Sequence, residues 1–236
     1  IAGPTLNGAG ATFPSPIYQR WFQGYATETG NRVNYQSVGS GAGVRQYVAG
    51  TVDFGASDEP ISSKEASKVK RGVVQIPMVG GTIAVAYNKP GCTLKLTQKQ
   101  VVDIFLGTIK DWKQLGCAAG PVRVVHRSDG SGTTFAFTNS LSAFSPQWKS
   151  KVGEGKSVKW PVGIGGKGNE GVSGTVKTTP GSIGYVNTGF VKANKLQAAA
   201  IQNKAGQFVL PTAKSGAIAL NSITLWRQNL NRKQGN

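Results

Sequence analysis

A nine-residue glycine-rich loop, Arg127 to Phe135, follows a short β-branched run and precedes a stretch with helical character. Backbone N–H groups at the start of a helix, together with the helix dipole, form a ready site for an anion. The guanidinium of Arg127 adds a planar fork of donors suited to phosphate oxygens. Two segments of similar character lie upstream, at residues 8–13 and 39–43. Three such loops in one chain indicate a small tetrahedral anion held where the loops converge.

The order strand, glycine loop, helix recurs along the chain, which indicates an α/β architecture. Ligands of open α/β sheets collect at the carboxyl ends of the strands, where these loops lie. The extended stretch 73–87 is long enough to pass between two lobes. The remaining segments are predicted as strands at 6–13, 32–38, 52–58, 122–126 and 183–186, and as helices at 17–22, 42–48, 96–106 and 134–144, with a mixed stretch at 187–195.

The formal net charge of +17 favours an anionic partner, such as phosphate, nucleic acid or an anionic envelope surface. Many of the basic residues are scattered singly, so solubility and steering by surface lysines are an alternative explanation. Charge is concentrated in two places only: residues 68–71, and Arg227 with Arg232 and Lys233. No nucleic-acid-binding motif or aromatic stacking surface accompanies the charge, so we do not expect nucleic acid as a partner.

The two cysteines, Cys92 and Cys117, form an even pair without a CxxC or His/Cys cluster. This pattern predicts a disulfide and an oxidising compartment, with two unpaired structural thiols as the alternative. No stretch approaches the ~20 apolar residues of a membrane span. The chain begins without Met. Together these features fit an exported protein.

The sequence does not predict an enzyme, because no Gly-x-Ser-x-Gly elbow, zinc-type His/Glu arrangement or Walker lysine loop is present. The single histidine, His126, is expected at a strand end rather than in catalysis. With few carboxylates beside it, the chain offers little for acid–base chemistry. We therefore predict a binding protein with no catalytic residues, no metal and no cofactor.

Several longer motifs extend this picture, and with them the chain resembles the periplasmic phosphate-binding proteins of bacterial ABC phosphate importers. They cover about residues 5–212 in order and with family-like spacing, which makes the resemblance far more specific than a lone glycine pattern. The motifs are residues 8–14 (GAGATFP), 52–58 (VDFGASD), 127–133 (RSDGSGT), 158–161 (VKWP), 163–169 (GIGGKGN) and 180–186 (PGSIGYV).

The resemblance implies a two-lobed fold of the type II periplasmic-binding-protein kind, with the ligand in the cleft between the lobes. Residues 1–84 would form the first part of lobe I, 85–205 lobe II, and 206–236 an atypical segment that returns to lobe I. The resemblance also implies two partners, inorganic phosphate and the membrane permease of an ABC phosphate importer.

The ligand contacts of the family fall on residues from both expected lobes. Phe13 and Gly132 would contribute backbone N–H groups, and the hydroxyls, Arg127 and Asp58 would contribute side chains. The complete set is Thr12, Phe13, Ser40, Asp58, Arg127, Ser131, Gly132 and Thr133.

Asp58 is a carboxylate in an expected anion site, and the chemistry of phosphate accounts for it. Phosphate near neutral pH keeps a proton that a carboxylate can accept, whereas sulfate has none and would be repelled. Arsenate carries protons as phosphate does and would be accepted. Alternative roles remain for several of these residues: a salt bridge between Arg127 and Asp129, and helix capping by Asp58, Ser40 or Ser131.

The resemblance fades after about Leu220, whereas family members usually run longer and complete lobe I with their C-terminal segment. We therefore expect an incomplete first lobe that exposes a sheet edge and apolar surface. A monomer is expected unless a second chain compensates for that segment. The alternative function is a basic envelope or nucleic-acid-interacting protein that has lost phosphate binding with its C-terminus.

Overall fold

The chain forms two α/β lobes, each built around its own sheet. The computed structural model describes residues 3–222 and, beyond them, the backbone of two short strands at Thr224–Leu225 and Arg232–Lys233. The expectations that involve Arg227 and the side chains of Arg232 and Lys233 lie outside the described residues.

The described helices differ widely in length, from four to fifteen residues. They are α1 (Ser15–Thr29), α2 (Ser40–Ala49), α3 (Ser63–Ala66), α4 (Gln98–Leu106), α5 (Gly132–Phe144), α6 (Pro146–Lys151), α7 (Gly168–Thr178), α8 (Thr188–Asn194) and α9 (Ala213–Asn221), with a 3₁₀ turn at Trp112–Leu115. The strands are β1 (Thr5–Gly10), β2 (Arg32–Ser37), β3 (Phe54–Ala56), β4 (Ile83–Tyr87), β5 (Lys95–Leu96), β6 (Arg123–Arg127), β7 (Ile164–Gly166), β8 (Ser182–Asn187), β9 (Gln197–Ala198), β10 (Ala200–Gln202), β11 (Phe208–Val209), β12 (Thr224–Leu225) and β13 (Arg232–Lys233).

The first lobe contains a parallel sheet in which β1 lies between β2 and β3. Because all three strands are parallel, the loops that follow them all leave the sheet at the carboxyl ends of the strands. Helix α2 begins directly against these ends. A Cβ atom at Gly43 would come within 3.0 Å of backbone atoms of Ala9 and Gly10, so a glycine is needed for this approach.

The second lobe is larger and holds a mixed sheet in the order β7-β6-β8-β4-β9. Helices α4 and α5 cover one face, over a core that includes Phe105, Trp112, Trp148 and Tyr185, all fully buried. Helices α7 and α8 cover the opposite face, over a smaller apolar cluster of the same sheet. The expected α/β class is thus confirmed, and the sheet is buried on both faces, as strands of doubly covered sheets are.

The disulfide predicted from the cysteine count is confirmed, since Cys92 and Cys117 are bridged with their Cα atoms 5.5 Å apart. The bridge joins the turn after β4 to the turn after the 3₁₀ helix. It lies at the edge of the main core of the second lobe, where Cys92 itself is buried.

An extended segment, residues 73–82, leads from the first lobe to β4. Residues 73–81 make no main-chain hydrogen bond to any other part of the described chain. The side chains of Val74, Ile76 and Met78 are 81%, 70% and 59% exposed. Among the described strands β3 pairs only with β1, so it is an outer strand of the first-lobe sheet, and the expectation of an incomplete first lobe stays a prediction.

The chain after residue 205 contacts the second lobe and the segment that connects the lobes. Strand β11 pairs antiparallel with β10, which in turn pairs with β5 in a small sheet. Helix α9 then packs against residues 80–82, where a Cβ atom at Gly216 would clash with Oγ1 of Thr82. The described chain therefore passes back toward the segment that connects the lobes.

Candidate functional site

The first lobe places its predicted ligand residues at the carboxyl ends of its parallel strands. Thr12 and Phe13 follow β1, Ser40 opens α2 after β2, and Asp58 follows β3. Thr12 and Ser40 are 3% and 1% exposed, and Phe13 and Asp58 are partly buried. The parallel order of the strands brings together residues that lie far apart in the sequence.

The second lobe places its four predicted residues around the end of β6 and the start of α5. Arg127 is the last residue of β6, Ser131 caps α5, and Gly132 and Thr133 form its first turn. The Ser131 hydroxyl accepts a hydrogen bond from the Thr134 N–H at 3.0 Å, so the proposed capping role is confirmed for this residue. Capping uses the N–H of Thr134, and the N–H of Thr133 in the same turn has no acceptor among the described residues, which leaves it available to an anion.

Asp58 accepts hydrogen bonds on both of its carboxylate oxygens, one from its own lobe and one from the other lobe. The Ser40 hydroxyl donates to Oδ1 and the Thr133 hydroxyl donates to Oδ2, each at 3.1 Å. The N–H of Gly132 donates to the Ser40 oxygen, also at 3.1 Å. A Cβ atom at Gly132 would come within 2.6 Å of the Asp58 side chain. The lobes therefore meet at Asp58, and the glycine makes that contact possible.

The alternative role of Asp58 as a helix cap is wrong. The nearest helix, α3, begins at Ser63 and is capped by Ser62. Burial instead raises the pKa of the Asp58 carboxyl above its ordinary value, although hydrogen bonds from Ser40 and Thr133 and the charge of Arg127 act in the opposite direction. A carboxyl group in this environment is suited to exchange a proton with a bound ligand.

Arg127 is buried, with 4% of its surface exposed, and forms a two-point ion pair with Asp129. Nε donates to Oδ1 at 2.7 Å and Nη2 donates to Oδ2 at 2.5 Å. The hydrogen bond and charge of Arg127 hold the pKa of Asp129 below its usual range, against the opposing effect of burial. The expected salt bridge thus exists, but it orients a buried guanidinium whose Nη1 has no hydrogen-bond partner among the described residues.

Tyr185, on β8, forms hydrogen bonds at both ends of the loop between β6 and α5. Its hydroxyl accepts the N–H of Arg127 at 3.1 Å and lies 2.7 Å from the Thr134 hydroxyl. Burial raises the pKa of Tyr185 well above its usual value, so the phenol stays protonated. The end of β6 and the first turn of α5 are held in a fixed relation by this one side chain.

Sequence reasoning missed Asn169 and Asn187, which lie beside the predicted residues. Asn169 donates to the Thr12 oxygen from its backbone N–H at 3.1 Å and from its side chain at 2.8 Å. Asn187 places its amide oxygen 2.9 Å from the Thr133 hydroxyl and its backbone N–H on the Asn169 side chain. Asn169 lies in the GIGGKGN motif, so that motif was the available signal for it.

Other candidate residues have structural surroundings. The ring of His126, at the end of β6 as predicted, is stacked on Trp160 with the centroids 5.0 Å apart. In the basic cluster 68–71, Arg71 lies over the ring of Tyr47 and donates to the Val52 carbonyl at 2.7 Å. Within residues 3–222 no three His, Cys, Asp or Glu side chains are grouped so that they could hold a metal ion.

The arrangement as a whole brings hydroxyl, N–H and guanidinium donors from two lobes together around the Asp58 carboxylate, while Asp129 pairs with Arg127. Such a set can satisfy the oxygens of a small protonated oxyanion, which a desolvated charge requires. The described helices include none that is both long and apolar enough to cross a bilayer.

Comparison with known proteins agrees with this geometry. Residues 2–234 match the family described as the PBP superfamily domain. The chain is 51% identical over 237 residues to the phosphate-binding protein PstS of Haemophilus influenzae, with 95% of this chain and 70% of the relative aligned. It is 50% identical over 224 residues to PstS of Pasteurella multocida, with 89% of this chain aligned; the chain spans 64% of the length of that relative.

Among solved structures, the chain is similar to a putative phosphate ABC transporter substrate-binding protein with bound phosphate from Clostridium perfringens. The TM-score is 0.75 and the identity 23%, over 93% of this chain and 81% of the other. At this level of identity the likeness supports the fold, which is two-lobed as the sequence predicted.

Proposed function

This chain belongs to the PBP superfamily and, within it, to the family of the phosphate-binding proteins PstS; from that membership we propose that it binds inorganic phosphate with high affinity and delivers it to the membrane permease of an ABC importer. The phosphate lies in the cleft between the lobes. The ligand residues are the eight predicted from the sequence, Thr12, Phe13, Ser40, Asp58, Arg127, Ser131, Gly132 and Thr133.

The observation that carries this proposal is the position of Asp58 among donors from both lobes. A phosphate dianion brings oxygens that need donors: Arg127 Nη1 and the Thr133 N–H can supply them, and so can the Ser40 and Thr133 hydroxyls once they turn from Asp58, to which they donate in this structure. Phosphate also carries one proton that needs an acceptor, and the Asp58 carboxylate is that acceptor. A fully deprotonated sulfate would leave Asp58 without a proton to accept and would bring two negative charges together.

The division of the chain belongs to the same proposal. Residues 1–84 and a return segment at 206–236 form lobe I, and residues 85–205 form lobe II. Packing of α9 against residues 80–82 supports the return, although β11 pairs with the small sheet beside lobe II. The cleft then lies where the chain crosses between the lobes, which is where two-lobed proteins bind their ligands.

We further propose that the protein acts in the periplasm, and as a monomer. The disulfide supports an oxidising compartment. The relatives are named as binding proteins, so we propose transport without catalysis. The alternative of an envelope or nucleic-acid-interacting protein is not favoured by these relatives.

Calorimetric titration of anion-stripped protein with phosphate, and separately with sulfate, tests the proposal. We expect binding of phosphate at micromolar or lower Kd and no measurable heat with sulfate. Ser40→Ala should weaken phosphate binding by about 10-fold or more, because it removes a buried hydroxyl from the network. Ser67→Ala, an exposed serine of the same lobe, is the matched control. Folded protein that gives no heat with phosphate would refute the function.

A further inference from the structure

One of the contacts between the lobes lies outside the anion site and consists of charged side chains. Nζ of Lys156, in the loop between α6 and β7, lies 3.2 Å from Glu59 Oε2 and 3.6 Å from Glu65 Oε1. Lys156 belongs to the second lobe, and the two glutamates follow β3 in the first. The three side chains are 21%, 23% and 34% exposed, so the pair is screened less than a surface ion pair would be.

We propose that Lys156 is a latch: its ion pairs with Glu59 and Glu65 hold the lobes closed and set the rate at which the bound anion leaves. This inference rests on the proposed function for the identity of the anion. It assigns a positioning role to Lys156, which makes none of the predicted ligand contacts.

The Glu65 side chain is held in place for this contact by its own helix cap. Oε2 of Glu65 accepts hydrogen bonds from the Ser62 N–H at 2.9 Å and the Ser62 hydroxyl at 2.7 Å, in the capping box of α3. This fixes the side chain and leaves Oε1 to face Lys156. The hydrogen bonds of Ser62, helped by the charge of Lys156, lower the pKa of Glu65, so the carboxylate stays ionised at neutral pH.

The charge of Glu59 depends on Lys156 more than the charge of Glu65 does. Its Oε2 atom is buried and has no hydrogen-bond partner among the described residues. The ammonium of Lys156 is therefore the group that compensates its charge. When the lobes separate, water can solvate this carboxylate. The closed state, in contrast, depends on Lys156 to offset the cost of burying it.

Each half of the latch is attached directly to the anion site, on one side by a peptide bond and on the other by a main-chain hydrogen bond. Glu59 follows Asp58 directly in the sequence. The carbonyl of Lys156 accepts the N–H of Ser131 at 2.8 Å, and the neighbouring Gly155 N–H donates to the Thr138 hydroxyl of α5 at 3.2 Å. Because each half of the latch is attached to its half of the anion site, opening of the latch is coupled in this proposal to release of the anion.

Stopped-flow measurement of phosphate dissociation tests the latch. Lys156→Met should raise the dissociation rate by about 3- to 10-fold, the range of a partly buried ion pair, with the association rate changed less than about 2-fold. The discrimination against sulfate should not change, since no ligand contact is lost. Lys159→Met, an exposed lysine three residues further on, removes the same charge and should leave dissociation unchanged. Equal dissociation rates in the two variants would overturn the proposal.

A double-mutant cycle identifies the partner. In the Lys156→Met background, Glu59→Gln should have little further effect on dissociation, because its ion pair is already absent. In the wild-type background the same substitution should raise the dissociation rate. Effects that simply multiply in the double variant would contradict pairing between these two side chains.

The latch can also be tested without phosphate, which separates it from the proposed function. Spin labels on Ala49→Cys in α2 and Lys151→Cys in α6, both exposed, report the distance between the lobes in anion-stripped protein; the native cysteines are bridged. Lys156→Met should shift the distances toward the open form, and Lys159→Met should not. An unchanged distribution would refute the latch even if phosphate binds. Folded protein that shifts as expected but binds no phosphate would refute only the function.

Discussion

Asp58 brings a carboxylate into a network whose other members mostly donate hydrogen bonds. Its raised pKa follows from burial in the contact between the lobes, and the same contact excludes the water that would otherwise solvate it. Arg127 and Asp129 form the opposite case, a buried charge with its partner bound at two points. The site thus holds two carboxyl groups of opposite behaviour: the ionised form is stabilised at Asp129, whereas at Asp58 burial disfavours it.

We predict that Asp58→Asn stabilises the ligand-free protein increasingly as the pH rises. A carboxyl whose pKa is raised on folding contributes stability that is present below its unfolded value of about 4 and is lost as the pH rises through the folded pKa. The difference in Tm between the variant and the wild type should therefore grow with pH and then level off. Thermal melts of anion-stripped protein between pH 4 and 8 provide the measurement.

Asp129→Asn provides the comparison of opposite sign. Its folded pKa is lowered, so its contribution is present above the unfolded value and is lost as the pH falls through the folded pKa. This variant should be less stable than the wild type at pH 7 and approach it in acid. If the Tm difference from the wild type changed with pH in the same direction for Asp58→Asn and Asp129→Asn, the two carboxyl groups would not differ as described.

At the scale of single residues, the positions that lie together where the lobes meet could be read from the sequence because they lie in glycine-rich loops and longer motifs; their role as phosphate ligands stays a prediction. Lys156, Glu59 and Asn187 could not be read in this way, because charged and amide residues at loop positions are common and nothing local marks their partners. Lys156 lies about 90 residues from its glutamate partners in the sequence. Only the packing of the lobes brings these side chains together.

Among the elements, α5 connects fold and site most directly, since its first turn presents Gly132 and Thr133 and its cap is Ser131. Strand β6 leads into this turn from the buried sheet, and Tyr185 on β8 fixes both. The rigidity of the site therefore comes from the core of the second lobe rather than from the loop itself.

We predict that Ser131→Ala lowers the free energy of unfolding by about 1 kcal/mol, the usual cost of losing a helix cap, and also weakens phosphate binding. Ser145→Ala removes the cap of α6, where the hydroxyl accepts the Trp148 N–H at 3.2 Å, and should have a similar cost in stability but none in binding. Urea unfolding and calorimetry separate the two effects. Equal phosphate affinity in the two variants would remove Ser131 from the site.

The disulfide is an element of the second lobe with a predictable contribution. It closes a loop with a sequence separation of 25 residues, and the chain-entropy model gives about 3–4 kcal/mol for a loop of this size. Replacing both cysteines by serine should lower the unfolding free energy by that order, measured in urea without reductant. Phosphate affinity at low denaturant should persist, since the bridge lies away from the cleft. Unchanged stability would contradict a constraint on the unfolded chain.

Sequence patterns predicted most elements that border the site and missed two that cover the far face of its sheet. Helix α7 contains Gly171 and Gly174 and β-branched residues, which lower helix propensity. It forms because Val172 and Val176 are buried against the sheet. Helix α8 occupies most of the stretch expected to be mixed, with Phe190 buried on the same cluster. Tertiary packing decided both cases, and no local pattern could have shown it.

At the scale of the whole molecule, the two lobes are unequal. Among the described residues, both buried apolar clusters belong to the second lobe and its adjoining small sheet. The first lobe packs around a three-stranded sheet and the rings of Tyr18, Phe22, Tyr35 and Phe54. It also carries the exposed Val74, Ile76 and Met78. Stability is therefore concentrated in the lobe that holds Arg127 and the start of α5.

The net charge of +17 acts on the whole surface, and we predict that it steers phosphate to the cleft. The association rate should fall as salt is raised from about 10 to 300 mM, because the Debye length shortens over that range from about 30 Å to below 8 Å. Stopped-flow association in sodium chloride measures this, with sucrose as a control for viscosity. A rate that does not respond to salt would rule out steering and leave solubility as the role of the charge.

The central claim, that Asp58 accepts the proton of a phosphate bound between the lobes, is tested most directly by the phosphate-to-sulfate affinity ratio of Asp58→Asn compared with the wild type. We predict that phosphate affinity falls by about 10- to 100-fold, the cost of losing a charged hydrogen bond, while sulfate binding strengthens because the repelling carboxylate is gone. The ratio should therefore collapse toward one. A variant that retains the wild-type ratio would contradict the account, because another group would then distinguish the two anions.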